Sequence, residues 1–120
     1  MPLQNTFTNG GVYANTTDAT ETTAATFQTR TDRAYQVIAR ITAVNTTTFA
    51  ALASYYLRAA FLNDGGTLAI EGSVQAIAAA IETAALGAAA ASLDASGTTI
   101  RARVTGVAAT NLTWLVELDV

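Results

Sequence analysis

Residues 55–74 read YYLRAAFLNDGGTLAIEGSV, which is two alternating runs joined by a turn. Apolar side chains recur at every second position in both runs, the period of a strand with one buried face. The Asn-Asp-Gly-Gly at 63–66 supplies residues that tolerate positive φ, as the tight turn of a hairpin requires. The sequence therefore predicts a β-hairpin with one apolar face.

Runs with the same alternation lie on both sides of this hairpin, and clusters of turn-forming residues separate them. These runs are residues 35–43, 100–105 and 112–118. Trp114 is in phase with Leu112 and Val116, so it is predicted to be a core residue. Strands at such close spacing predict a mainly β fold, a single antiparallel β-sandwich or small barrel over residues 31–120.

Residues 76–93 are rich in alanine and fit two structures. Alanine has the highest helix propensity, which favours a helix. However, Gly87 interrupts the segment, no polar face is present, and strands are predicted on both sides of it. Short strands of small residues fit those neighbours equally well. The sequence leaves strand and helix open here.

Residues 1–30 are dense in threonine, asparagine and alanine and keep no helical or strand period. The large apolar residues among them are isolated: Phe7, Val12, Tyr13 and Phe27. A disordered leader is one interpretation, but disordered segments contain few large apolar residues. We therefore expect an extended N-terminal arm whose four apolar residues contact a neighbouring molecule.

The composition excludes several classes of function. The 120 residues include no cysteine, histidine or lysine, so the common zinc, haem and iron–sulfur sites, a Ser-His-Asp triad and a P-loop are all excluded. We expect no cofactor. A formal net charge of −3 without a basic stripe argues against a nucleic-acid partner. Residues 75–93 are mostly alanine and contain Glu82, so no membrane span is predicted.

Catalysis would have to use carboxylates, hydroxyls or arginines. The nine acidic residues are scattered singly, and Asp64 and Asp94 are placed to shape turns rather than to transfer protons. A catalytic pair of carboxylates needs two acidic residues from different strands that converge in one concave pocket. We therefore expect that the protein is not an enzyme.

Four arginines are predicted on the polar faces of strands: Arg40, Arg58, Arg101 and Arg103. One interpretation is a solvated surface on which they pair across strands with Glu71 or Glu117. The other is a polar contact row at a subunit interface, where arginine is favoured over lysine. The absence of lysine favours the interface. Tyr56, which is out of phase with Tyr55, is expected to join it as an exposed contact.

The order of several short motifs resembles the small β domain of tailed-bacteriophage virion structural proteins, which include capsid decoration (cement) and tail-fibre-like proteins. The motifs are Tyr56–Phe61, Asp64–Gly66, Leu68–Val74, Ser96–Gly106 and Thr113-Trp114. The resemblance covers roughly the last three quarters of the chain. It implies a virion component, often a trimer, without enzymatic activity. The family pattern also has a strand near Ala88–Leu93 with a large aromatic residue near its start, where this chain has alanines.

Two functions are expected as alternatives on this basis. The leading one is a capsid decoration protein that forms a homotrimer on the outer surface of the phage head. Its N-terminal arm would contact the major capsid protein and stabilise the capsid, after assembly in the host cytoplasm. The alternative is a tail-fibre or receptor-binding tip domain that binds host surface glycan, with Tyr56 as the candidate contact.

Overall fold

A computed structural model of the chain describes residues 11–120 and contains two antiparallel sheets that share one core. The strands are β1 (Val12–Thr16), β2 (Glu21–Gln28), β3 (Arg33–Asn45), β4 (Leu52–Asp64), β5 (Thr67–Glu82), β6 (Ala90–Ser96), β7 (Thr99–Thr105) and β8 (Leu112–Asp119). Five strands form the large sheet in the order β1-β8-β3-β4-β5, and three form the small sheet in the order β2-β7-β6. The predicted mainly β, sandwich-like fold is confirmed.

The core consists of the inward side chains of alternating strand positions. Ile41, Phe61 and Trp114 of the large sheet are almost completely buried, as are Leu93 and Ile100 of the small sheet. This arrangement follows from the period of two, since one face of each sheet collects the apolar residues. The prediction that Trp114 belongs to the core is confirmed.

The turn between β4 and β5 has the geometry that its sequence predicts. Asp64 pairs with Thr67, so Gly65 and Gly66 alone form the loop. Their φ angles are 61° and 94°, and positive φ at both central residues defines the type I′ turn that matches the twist of paired strands. The Gly66 N–H also donates a hydrogen bond to Oδ1 of the buried Asn63, at 3.0 Å.

The predicted arm of residues 1–30 is wrong for residues 12–28. Residues Val12–Thr16 pair with β8 in the large sheet, and Glu21–Gln28 pair with β7 in the small sheet. These strands lack a strong apolar–polar contrast because they are built from threonine, alanine and asparagine, and β-branched threonine nevertheless suits a pleated surface. Residues 1–10, which include the predicted contact Phe7, lie outside the described part of the chain.

The alanine-rich segment forms strands with a short helical turn between them. β5 continues to Glu82, a 3₁₀ helix covers Ala84–Leu86, and β6 begins at Ala90. β4 provides a partner for β5 along its whole length, from Asp64 back to Ala53. Pairing with an existing strand therefore overrides the helix propensity of alanine.

Candidate functional site

The residues predicted to form one subunit interface lie on opposite sides of the sandwich. Arg40, Tyr56 and Arg58 are on the outer face of the large sheet, since they alternate with the buried residues of β3 and β4. Arg101 and Arg103 alternate with the buried residues of β7 and lie on the outer face of the small sheet. The structure therefore does not bring these five residues together in one row.

On the outer face of the large sheet, the polar side chains are held by their neighbours. The Arg40 guanidinium lies over the Tyr56 ring, 5.4 Å from its centroid, in a cation–π contact. Arg58 Nε donates to Gln75 Oε1 at 2.9 Å, which ties β4 to β5. Tyr56 is half-buried, so the prediction of an exposed Tyr56 is met only in part.

A groove of about 340 Å³ runs along this face between β3, β4 and β5. Its lining includes Arg40, Thr42, Ser54, Tyr56, Ala78 and Ile81. An aromatic ring, an arginine and two hydroxyls around an apolar floor are a combination that can bind a sugar ring.

Tyr55 points to the other face of β4, where it packs beside the core tryptophan. Its ring stacks on Trp114 with centroids 6.3 Å apart, and its hydroxyl donates to the Glu82 carboxylate at the end of β5. Burial of the phenol and the hydrogen bond to Glu82 both disfavour the phenolate, so the pKa of Tyr55 is raised well above its usual value of 10. This pair fastens the end of β5 to β4.

We expect ionisation of Tyr55, whose hydroxyl donates to Glu82, to lower the stability of the protein in strong alkali. The pKa of Tyr55 is higher in the folded than in the unfolded chain, so its stabilising contribution is complete below pH 10 and falls as the pH rises towards its folded pKa. Urea unfolding at about pH 8 and about pH 11 measures the loss. Tyr55→Phe should show a smaller loss between the two pH values than the wild type; an equal loss would contradict the assignment.

The outer face of the small sheet carries an ionic cluster. Arg101 contacts Asp94 through two hydrogen bonds, Nε to Oδ1 and Nη2 to Oδ2, both 2.8 Å long. Arg103 donates to Glu21 Oε1 of β2 at 3.3 Å. The expected partners Glu71 and Glu117 are therefore wrong for these two arginines. The prediction that Asp94 shapes a turn is also wrong, because it lies within β6 directly opposite Arg101.

The second half of β5 is an exposed surface with little charge. From Gln75 to Glu82 every residue is exposed, because the small sheet is too narrow to cover this margin of the large one. Ile77 and Ile81 are 42% and 66% exposed. No charged residue or proline occurs between Glu71 and Glu82, although edge strands are usually protected by such residues. We call residues Gln75–Glu82 the β5 edge.

Sequence reasoning did not identify the β5 edge, because the alanine-rich segment was open between helix and strand. Residues 72–81 form a run of ten uncharged residues, but this run does not single out the edge, because residues 41–57 form a longer one. Exposure of such a run is expected of surfaces that another molecule covers. The β5 edge is therefore the best-supported candidate for a functional surface.

Within residues 11–120 there is no group of three or more acidic, histidine or cysteine side chains that could hold a metal ion. No helix in that part of the chain is long and apolar enough to cross a membrane. No protein-family profile matches the sequence, and no curated protein is significantly similar to it.

Proposed function

We propose that the chain is a structural subunit of a tailed-phage virion, a capsid decoration protein that assembles as a homotrimer on the outer surface of the head. The observation that carries the assembled state in this proposal is the β5 edge, an uncharged strand margin open to solvent on both faces. The trimer and the phage head are taken from the resemblance of the sequence motifs. Soluble monomers protect such an edge with charged residues, proline or bulges. The β5 strand has bulges but neither charged residues nor proline in residues 72–81. A subunit of a permanent assembly covers it instead.

The composition supports an assembled state. Hydrophobic residues make up 51% of the chain and charged residues 12%, about half the ~25% usual for soluble domains. A domain of this size leaves about a third of its chain surface exposed even when folded. With so few charges available, neighbouring subunits are the natural cover for part of that surface.

The contact with the major capsid protein is assigned to the N-terminal residues and to β1. Tyr13 is 69% exposed on β1, which is the edge strand at the opposite margin of the large sheet from β5. Phe7 precedes it in the sequence. Val12 and Phe27 are partly buried against the core, so they serve the fold and not the capsid contact.

The copy number of the chain in purified virions tests the location. A decoration protein is expected in numbers comparable to the major capsid protein, measured by quantitative mass spectrometry of purified particles. A few copies per particle would instead indicate a tail or tip component. Absence from the particles would contradict both forms of the proposal.

Deletion of residues 2–10 is expected to abolish binding to capsids and leave the fold intact, because β1 begins at Val12. Binding is measured by co-sedimentation with capsids that lack the protein, and folding by circular dichroism. A matched control is Phe49→Ala, which changes an exposed aromatic residue in the loop between β3 and β4. Capsid binding that survives the deletion would contradict a role for this segment.

The alternative function, a receptor-binding tip that recognises host surface glycan, is favoured by the groove beside Tyr56. Sugar rings stack on aromatic side chains. Because the Arg40 guanidinium lies over one face of the Tyr56 ring, a sugar would stack on the other face, with Arg40 close enough to donate hydrogen bonds at its rim. This function predicts saturable binding on a glycan array that is lost in Tyr56→Ala and kept in Tyr13→Ala. No binding by the wild type would exclude it.

A further inference from the structure

We infer that two copies of this chain associate through the β5 edge, with their β5 strands antiparallel about a two-fold axis that passes between the two copies of Ala79. The contact would join the two large sheets into one continuous sheet. It concerns the isolated chain and does not depend on the location of the protein in a particle. Because a two-fold contact closes at two copies, it is also distinct from the contact that makes a trimer.

The β5 edge is available for this contact. β5 is the last strand of the large sheet and pairs only with β4 among the described elements. Its other side therefore presents backbone N–H and C=O groups to solvent, which another strand can pair with. β5 is also the longest of the described strands, at 16 residues, whereas the opposite edge strand β1 has five.

The sequence of the edge matches a second copy of itself. Residues 77–81 read Ile-Ala-Ala-Ala-Ile, which is the same in both directions. In an antiparallel pair centred on Ala79, each Ile77 lies opposite Ile81 of the second copy, and alanine lies opposite alanine. Directly opposed side chains project to the same face of a sheet and pack together. An unrelated strand would offer this match only by chance.

The charges are compatible with the same register. Residues 72–81 carry no charge, so no like charges meet along the pair. Glu82 lies opposite Ala76 of the second copy, which places the two Glu82 residues six positions, or about 20 Å, apart along the strand direction. That separation exceeds the Debye length of ~8 Å at physiological ionic strength.

The β5 strand contains bulges, and the contact between two copies would bury the isoleucine side chains next to them. The register against β4 shifts between Leu57 and Tyr56 and again between Tyr56 and Ser54, so β5 carries extra residues there. Ile77 and Ile81 both line grooves on the outer face of the large sheet. The two-fold axis is perpendicular to the sheet, so the isoleucines of both copies meet on that face. Because bulges interrupt a regular ladder, apolar side chains carry this contact together with the backbone hydrogen bonds.

Engineered cysteines test the inference directly, since the chain has no cysteine of its own. Ala79→Cys should cross-link to a covalent dimer on mild oxidation or with a short bismaleimide, because the two Ala79 residues meet at the axis. Ile77→Cys alone should not, since four positions, about 13 Å, separate the two copies of this residue. A mixture of Ile77→Cys and Ile81→Cys should give a mixed dimer. Ala69→Cys, exposed on the first half of β5, is the control.

The mass in solution is the second readout. Light scattering is expected to give an even multiple of 12.4 kDa for the wild type, namely two copies, or six where the proposed trimer also forms. Ile81→Lys, whose folding is verified by circular dichroism, is expected to give half of that mass. A wild-type monomer, or cross-linking of Ala79→Cys no greater than that of Ala69→Cys, would overturn the two-fold contact. A trimer without cross-linking at Ala79 would also overturn it, while supporting the trimer proposed above.

Discussion

Replacement of Trp114 with alanine is expected to lower the free energy of unfolding by about 3–5 kcal/mol, the range for deleting a large buried aromatic side chain. Trp114 lies on β8, the second strand from one edge of the large sheet, and is completely buried. It contacts both a core-facing tyrosine of β4 and a threonine of β1. The indole therefore joins strands that are distant in the sequence.

Two separate interactions contribute to this loss. The ring stacks on Tyr55, with an interplanar angle of 20°, and aromatic pairs of this kind add about 0.5–1.5 kcal/mol beyond their buried area. Indole Nε1 donates a hydrogen bond of 2.9 Å to Oγ1 of Thr16, which is itself buried. Removal of the indole leaves both a cavity and a buried hydroxyl without its donor.

Trp114→Phe separates the two interactions. It retains most of the aromatic volume and loses the hydrogen bond, so its effect should be clearly smaller than that of Trp114→Ala. Because Trp114 is the only tryptophan, urea unfolding is followed by far-ultraviolet circular dichroism instead of fluorescence. A loss below about 1 kcal/mol for Trp114→Ala would contradict the burial of this side chain.

The elements that could be predicted from the sequence are those in which large apolar and polar residues alternate. β3, β4, the first half of β5, β7 and β8 all have this contrast, and the two glycines at 65–66 identify the turn. β1 and β2 have no such contrast, because threonine and alanine fit either face of a sheet. β1 and β2 form strands because they pair with the free edges of β8 and β7. A local sequence pattern does not show that such an edge is available.

The surface contacts and the β5 edge were harder to predict, because both depend on which distant parts of the chain come together. Side-chain partners such as Arg103 and Glu21 are separated by most of the chain, so the sequence could not pair them. The exposure of the β5 edge depends on the width of the opposite sheet, which has three strands against five. That difference in width is a property of the whole topology. The alanine-rich composition alone did not reveal whether the segment was covered.

Replacement of Asn63 with alanine is expected to lower the free energy of unfolding by about 1–3 kcal/mol, although Asn63 is polar and adjoins a surface turn. Its side chain is almost fully buried, at 1% exposure. The carbonyl accepts from the Gly66 N–H, and Nδ2 donates to Oγ1 of Thr29 at 3.0 Å. Both groups lose a buried partner in the variant.

The contribution of Asn63 extends beyond its own hairpin because Thr29 continues the network. The Thr29 hydroxyl and its backbone N–H both donate to the carbonyl of Thr98, in the turn between β6 and β7. Asn63 therefore links the β4–β5 turn of the large sheet to the end of the small sheet. Loss of this link should weaken both turns together, since hydrogen bonds in one buried network depend on each other.

Asp64→Ala is the matched control, because Asp64 is the next residue in the same turn but is exposed. Urea unfolding of the two variants should show a clear loss for Asn63→Ala and little change for Asp64→Ala. Hydrogen exchange adds a local readout: the Gly66 amide should exchange faster in Asn63→Ala, and the Thr29 amide should follow it if the link between the sheets is broken. Equal stability of the two variants would contradict this role, and faster exchange at Gly66 alone would confine Asn63 to its own turn.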